Sequence, residues 1–112
     1  MKLTDLQALM PLTAHYAPEA LNQELEGVYC SDLLSNVMGQ AKPGMVWLTM
    51  QSHPNIIAVA SLLGLSAILL VGGAKPEQET VNKAAAENIP LFSVPASCFD
   101  VAGQLYQQGL RG

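Results

Sequence analysis

The sequence predicts an α/β domain: a three-layer α/β/α arrangement around a mostly parallel sheet of four to five strands. Three observations predict it. Four short apolar runs, at 27–30, 46–50, 67–71 and 91–94, are each followed by a helix-start signal and a helical stretch. Alternation of strand and helix builds a parallel sheet. Half of the 112 residues are hydrophobic and only 12% are charged, which is enough apolar material for one core. Residues 56–73 carry no charge, yet Gly64-Leu65-Ser66 interrupts them where a helix would end. That stretch reads as a buried helix followed by a strand covered on both faces, not as a membrane span.

Each element has a local reason. Thr4 and Gln7 have the spacing of a capping box, Leu6, Leu9 and Met10 supply one apolar face, and Pro11 stops the helix. Residues 12–16 suit a short extended segment, and 17–26 a loop or an edge hairpin. After the strand at 27–30, Ser31 or Asp32 is the expected cap of a helix over 33–41. Its buried stripe would be Leu33, Leu34, Val37, Met38 and Ala41. Lys42-Pro43-Gly44 is a turn. A strand over 46–50 leads through Gln51-Ser52-His53 to Pro54, which fits the first position of a helix over 54–63.

That helix is apolar almost all round, with Ile56, Ile57, Val59, Leu62 and Leu63 spread over most of its circumference. Its outer face therefore needs a second cover, from the N-terminal helix or from a second subunit. The expected pairing surface is Ile56, Ile57, Val59, Ala60 and Leu63 of a homodimer. After the strand at 67–71, Gly72-Gly73 makes a turn. Lys75-Pro76 opens a helix that buries Val81, Ala84 and Ala85 and ends at Asn88. After the strand at 91–94, Ser97 and Asp100 again have capping-box spacing. They start a helix lined by Cys98, Val101, Ala102 and Leu105, and Gly109 and Gly112 suggest a frayed end.

Composition narrows the function. The net charge is −4 and the five basic residues are scattered, so a nucleic-acid partner is not expected. The N-terminus lacks the pattern of a signal peptide, and a cytoplasmic location is expected. Cys30 and Cys98 stand 68 positions apart without metal-like spacing, as two reduced cysteines or, alternatively, as a disulfide or a shared metal pair.

A parallel sheet gathers its strand-to-helix junctions at one rim, where ligands tend to bind. The rim candidates are Ser31, Asp32, Gln51, Ser52, His53, Asn55, Gly72 and Gly73. The junction at 51–55 is the densest polar cluster. It offers an amide, a hydroxyl, an imidazole and free helix amides for an anionic or nucleotide-like ligand, or else Ser52 or His53 merely caps the helix. His53 is the best single proton-transfer candidate, with Asp32 as a conceivable partner if their strands are neighbours. Asp32 as a cap is the plainer reading. There is no Walker-type phosphate loop, no G-x-G-x-x-G, no H-E-x-x-H, no C-x-x-C and no G-x-S-x-G. No catalytic constellation, metal site or cofactor is expected.

Three stretches resemble the DRTGG domain family. They are Gly27-Val28-Tyr29-Cys30-Ser31-Asp32-Leu33-Leu34-Ser35-Asn36-Val37-Met38, then Ala41 to Thr49, and Gln51-Ser52-His53-Pro54-Asn55-Ile56-Ile57-Ala58-Val59-Ala60-Ser61. The resemblance continues through Glu87 to Leu91 and Phe99 to Tyr106. The motif that names the family is degenerate: Asn22-Gln23-Glu24-Leu25-Glu26-Gly27 stands in its place, and only Gly27 is kept. The resemblance implies a fold similar to the N-terminal, non-catalytic domain of HPr kinase/phosphorylase. It also implies the role that such domains have beside CBS domains in regulated pyrophosphatases, as regulatory or dimer-forming modules. A non-catalytic regulatory and dimerisation module is therefore expected, with a small-molecule sensor at 51–55 as the alternative.

Overall fold

The computed structural model describes residues 1–18 and 22–112. The elements run α1 (Leu3–Leu9), β1 (Thr13–Tyr16), β2 (Gly27–Cys30), α2 (Leu34–Gln40), β3 (Met45–Thr49), α3 (Asn55–Leu63), β4 (Ala67–Leu70), α4 (Gln78–Glu87), β5 (Leu91–Ser93) and α5 (Cys98–Gln107). One five-stranded sheet has the order β1-β5-β4-β3-β2. β2 to β5 are parallel, and β1 joins β5 antiparallel. The expected architecture, with five strands, is therefore observed. The loop or edge hairpin expected over 17–26 falls partly on residues outside the described set. In the described part, the Leu3 N–H donates to the Gln23 carbonyl and the Leu25 N–H to the Met1 carbonyl.

Alternation within the strands sorts the core into two layers. Val46, Leu48, Ala67, Leu69 and Phe92 face α1 and α5, meeting Leu3, Leu6, Val101 and Leu105. Met45, Trp47, Ile68, Leu70 and Leu91 face the other way and meet Val37, Ile56, Ile57, Ala60 and Ala84 of α2, α3 and α4. All five residues of β3 are buried. The three crossover helices share one face, as they must when successive parallel strands are neighbours with the same connection hand.

The uncharged stretch is two elements. Gly64 ends α3 in the left-handed region at φ 69°, and its N–H caps the last turn. β4 begins three residues later.

Several local expectations are corrected. Ile56, Ile57, Val59 and Ala60 are all buried within the single chain, so they present no pairing surface. α3 lies between α2 and α4 in one layer, and these neighbours supply the lateral cover that its circumferential apolar pattern needs. Leu63 is half-buried, and Leu62 is the large apolar residue that α3 exposes, at 70%. On α2 only Val37 is fully buried, while Leu33 and Met38 are exposed. α4 buries Thr80 and Ala84, leaving Val81 half-buried and Ala85 exposed. α1 starts a residue before Thr4; the Asp5 carboxylate closes its first turn by accepting the Lys2 N–H at 2.7 Å. The C-terminus is pinned, because the Arg111 carbonyl accepts the Val28 N–H at 2.9 Å along the outer edge of β2.

Candidate functional site

The carboxyl ends of β2, β3 and β4 and the start of α5 enclose a cavity of about 160 Å³. Cys30, Ser31, Asp32, Leu48, Thr49, Met50, Val71 and Cys98 line it. The register Cys30↔Leu48 and Thr49↔Leu70 brings these strand ends level with one another.

Asp32 organises the rim. Its carboxylate accepts the Thr49 hydroxyl and the Met50 N–H, both at 2.7 Å. The Gln51 side-chain amide donates back to the Asp32 carbonyl at 3.0 Å, and the Gln51 N–H donates to Thr49 Oγ1 at 3.1 Å. The Trp47 indole N–H donates to the Ser31 carbonyl at 2.8 Å. Two adjacent junctions are thus tied together by side chains, and Thr49, only 1% exposed, has its hydroxyl satisfied through Asp32. Asp32 does not cap α2. Leu33 occupies the N-cap position, and Ser31 Oγ accepts the Leu33 N–H at 3.1 Å.

The expected site residues divide into three groups. Ser31 and Asp32 line the cavity, and Gln51 braces Asp32 from beside it. Ser52, His53 and Asn55 do not line it and serve the next helices instead. His53 Nδ1 accepts the Asn55 N–H at 3.1 Å, so the imidazole caps α3. The Ile56 and Ile57 amides donate to the carbonyls of His53 and Pro54. The α3 N-terminus therefore spends its first amides internally. The Ser52 carbonyl accepts the Thr80 hydroxyl at 2.6 Å and the Glu77 N–H at 3.2 Å, which anchors the start of α4. Gly72 and Gly73 donate to the carbonyls of Ala96 and Val94 and bind the turn after β4 to the segment before α5. Asp32 and His53 are engaged with separate partners, and no hydrogen bond joins them.

Cys30, Thr49, Met50 and Cys98 belong to the site but escaped the sequence reading. Thr49 and Met50 looked like the end of a strand, and the two cysteines only meet once α5 crosses to the opposite face of the sheet. Although Cys30 is exposed as a residue, partial burial of its thiol, then the nearby Cys98, push it up to about 11.

Exposed apolar side chains lie in and beside the cavity lining. Met50, 53% exposed, is part of it; Leu33, 64%, and Phe99, 85%, follow its lining residues Asp32 and Cys98 in sequence, and Phe99 borders a separate groove along α5. Among the described residues, no three His, Cys, Asp or Glu side chains are grouped to hold a metal ion, and no helix is long and apolar enough to cross a membrane.

Fold and rim together define a small α/β domain with a shallow, partly apolar site at the carboxyl ends of its parallel strands. The DRTGG domain family matches residues 12–108, and the chain belongs to that family. Among solved structures it is similar to the CBS and DRTGG domains of the regulatory region of Clostridium perfringens pyrophosphatase, complexed with its activator diadenosine tetraphosphate. The identity is 19% and the TM-score 0.71; the match covers 97% of this chain and 47% of that one. At that identity the likeness is one of fold. No curated protein matches the sequence.

Gly27 has a spatial reason to be glycine. A Cβ there would stand 2.6 Å from the Arg111 carbonyl oxygen, the acceptor that pins the C-terminus on β2.

Proposed function

We propose that this chain is a non-catalytic regulatory module that works by association through the carboxyl-end rim, with a second copy of itself as partner. One observation carries the reading: Leu33, Met50 and Phe99 are exposed at the junctions after β2, β3 and β5, all at the carboxyl-end rim, and large apolar side chains exposed together mark interaction surfaces. A two-fold dimer needs only one such patch, because the same surface serves both copies. The regulatory setting of the pyrophosphatase relative supports the reading. So does the engagement of Asp32 and His53 in structural hydrogen bonds.

The test is light scattering on purified protein beside the double variant Leu33→Ser/Phe99→Ser. The expected result is a dimer for the parent chain and a monomer for the variant, with unchanged far-ultraviolet circular dichroism. A parent chain that stays monomeric at tens of micromolar, or a dimer indifferent to both substitutions, contradicts it.

A second reading is a small-molecule sensor, and the cavity itself favours it. Typical ligand pockets measure about 300–1,000 Å³, so about 160 Å³ accommodates a single ring or base rather than a whole dinucleotide. With the Asp32 carboxylate on its wall and no Lys or Arg in its lining, the cavity suits amino or hydroxyl donors better than phosphate. A thermal-shift series with adenine, adenosine and diadenosine tetraphosphate tests this. Stabilisation is expected from the base or nucleoside and is lost in Asp32→Asn. No shift with any of the three removes the reading for adenine compounds.

A further inference from the structure

Two cysteines far apart in sequence come together at the rim. Cys30 is the last residue of β2 and Cys98 the first of α5. α5 packs on β2, and both cysteines line the same cavity. The two thiols thus open into one small space of about 160 Å³, where a side-chain rotation can bring the sulfurs together. Both are free thiols, Cys30 exposed and Cys98 half-buried, within reach of a small reagent. Structural zinc calls for about four ligands. Here no third His, Cys, Asp or Glu completes a metal group among the described residues. A neighbouring pair of accessible thiols without further ligands is arranged for sulfur–sulfur chemistry.

We propose that Cys30 and Cys98 form a reversible dithiol–disulfide couple, closed by exchange with a low-molecular-weight disulfide of the glutathione type. One thiol loses its proton, and its thiolate attacks a sulfur of the small disulfide. The old S–S bond breaks, one thiolate leaves and takes up a proton, and a mixed disulfide remains. The second cysteine, as thiolate, attacks the protein sulfur of that mixed bond and expels the second small thiol. Two protein thiols and one small disulfide become one protein disulfide and two small thiols, so two electrons pass to the reagent. Because thiolates do the attacking and Cys30 is held protonated, closure is slow at neutral pH and accelerates as pH rises. The new bond ties the first turn of α5, where Phe99 is exposed, to the end of β2.

The experiment equilibrates the purified chain across reduced-to-oxidised glutathione ratios. It traps free thiols by alkylation and maps the peptides by mass spectrometry. The expected result is loss of alkylation at Cys30 and Cys98 together, a peptide pair joined within one chain, and recovery of both thiols on reduction. Cys30→Ser and Cys98→Ser are each expected to carry a stable glutathione adduct on the remaining cysteine. Two cysteines that stay fully alkylatable at the most oxidising ratio overturn the proposal. So does a parent chain that accumulates glutathione adducts without the internal bond, or joined peptides found only between two chains. The measurement is made on dilute, ligand-free chain, where neither association nor an adenine compound covers the cavity, so its failure is distinguishable from failure of either of those readings.

Discussion

Asp32 holds two neighbouring strand ends with one carboxylate, and its removal should be felt in stability. Asp32→Ala strands the hydroxyl of Thr49, which is 1% exposed, and frees the Met50 N–H. A buried polar group without its partner costs about 1–3 kcal/mol. Asp32→Asn keeps an acceptor and should cost about 1 kcal/mol or less. Urea unfolding of the two variants checks the order, and equal losses would contradict the bracing role. His15 supplies a pH dependence. Its Nε2 pairs with Ser93 Oγ at 2.8 Å, and burial, then the Lys75 charge, lowers its pKa from 6.5. The unfolded chain therefore binds a proton at a pH where the folded chain does not. Stability should fall as pH drops through 6.5, and continue to fall until the lowered value is passed. His15→Gln should flatten that part of a melting-temperature profile, and an unchanged slope would refute it. At this scale the sequence was only partly legible. His53 and Asp32 were both found as rim polar residues, but their partners are set by neighbouring chain segments that local spacing does not contain. Cys98 was missed as a site residue because its company is decided by which face of the sheet α5 covers.

Helices and strands were more legible than their surroundings. Pro54, Gly64, Asn88 and Ser97 all punctuate helices at or within a residue of the expected places. Punctuation of this kind is backbone chemistry: Asn88 holds the left-handed C-cap at φ 58°, and Ser97 Oγ accepts the Asp100 N–H at 3.2 Å. The cover of α3 was misjudged for a physical reason. An apolar circumference states that a helix is surrounded, and cannot state whether the surroundings are lateral helices or another subunit. Two substitutions separate these cases. Ala60→Leu, at a fully buried position between sheet and helices, should overpack the core by about 1–3 kcal/mol. Leu62→Lys, at an exposed position, should change stability by no more than about 0.5 kcal/mol. Comparable losses at both sites would mean that the outer face of α3 is covered after all. At the β2 edge, Gly27→Ala should displace the C-terminal segment, because no space exists for a Cβ beside the Arg111 carbonyl. Faster amide exchange at Val28, which donates to that carbonyl, is the expected signature.

The whole molecule combines a closed interior with an open rim. Both faces of the sheet are packed with helices, β1 ends it antiparallel beside β5, the C-terminal segment covers the β2 edge, and no buried side-chain polar atom among the described residues lacks a hydrogen-bond partner. Of the exposed large apolar side chains, Leu33, Met50 and Phe99 are the ones at the rim, where parallel sheets place their sites, while Met38, Leu62 and Tyr106 lie on helices. The proposed association rests on these rim side chains. Sedimentation velocity across a concentration series, with parent chain and Leu33→Ser/Phe99→Ser side by side, tests this most directly. A concentration-dependent dimer that the two substitutions abolish is the predicted result; a chain that sediments as a monomer throughout, or a dimer that survives them, would contradict it.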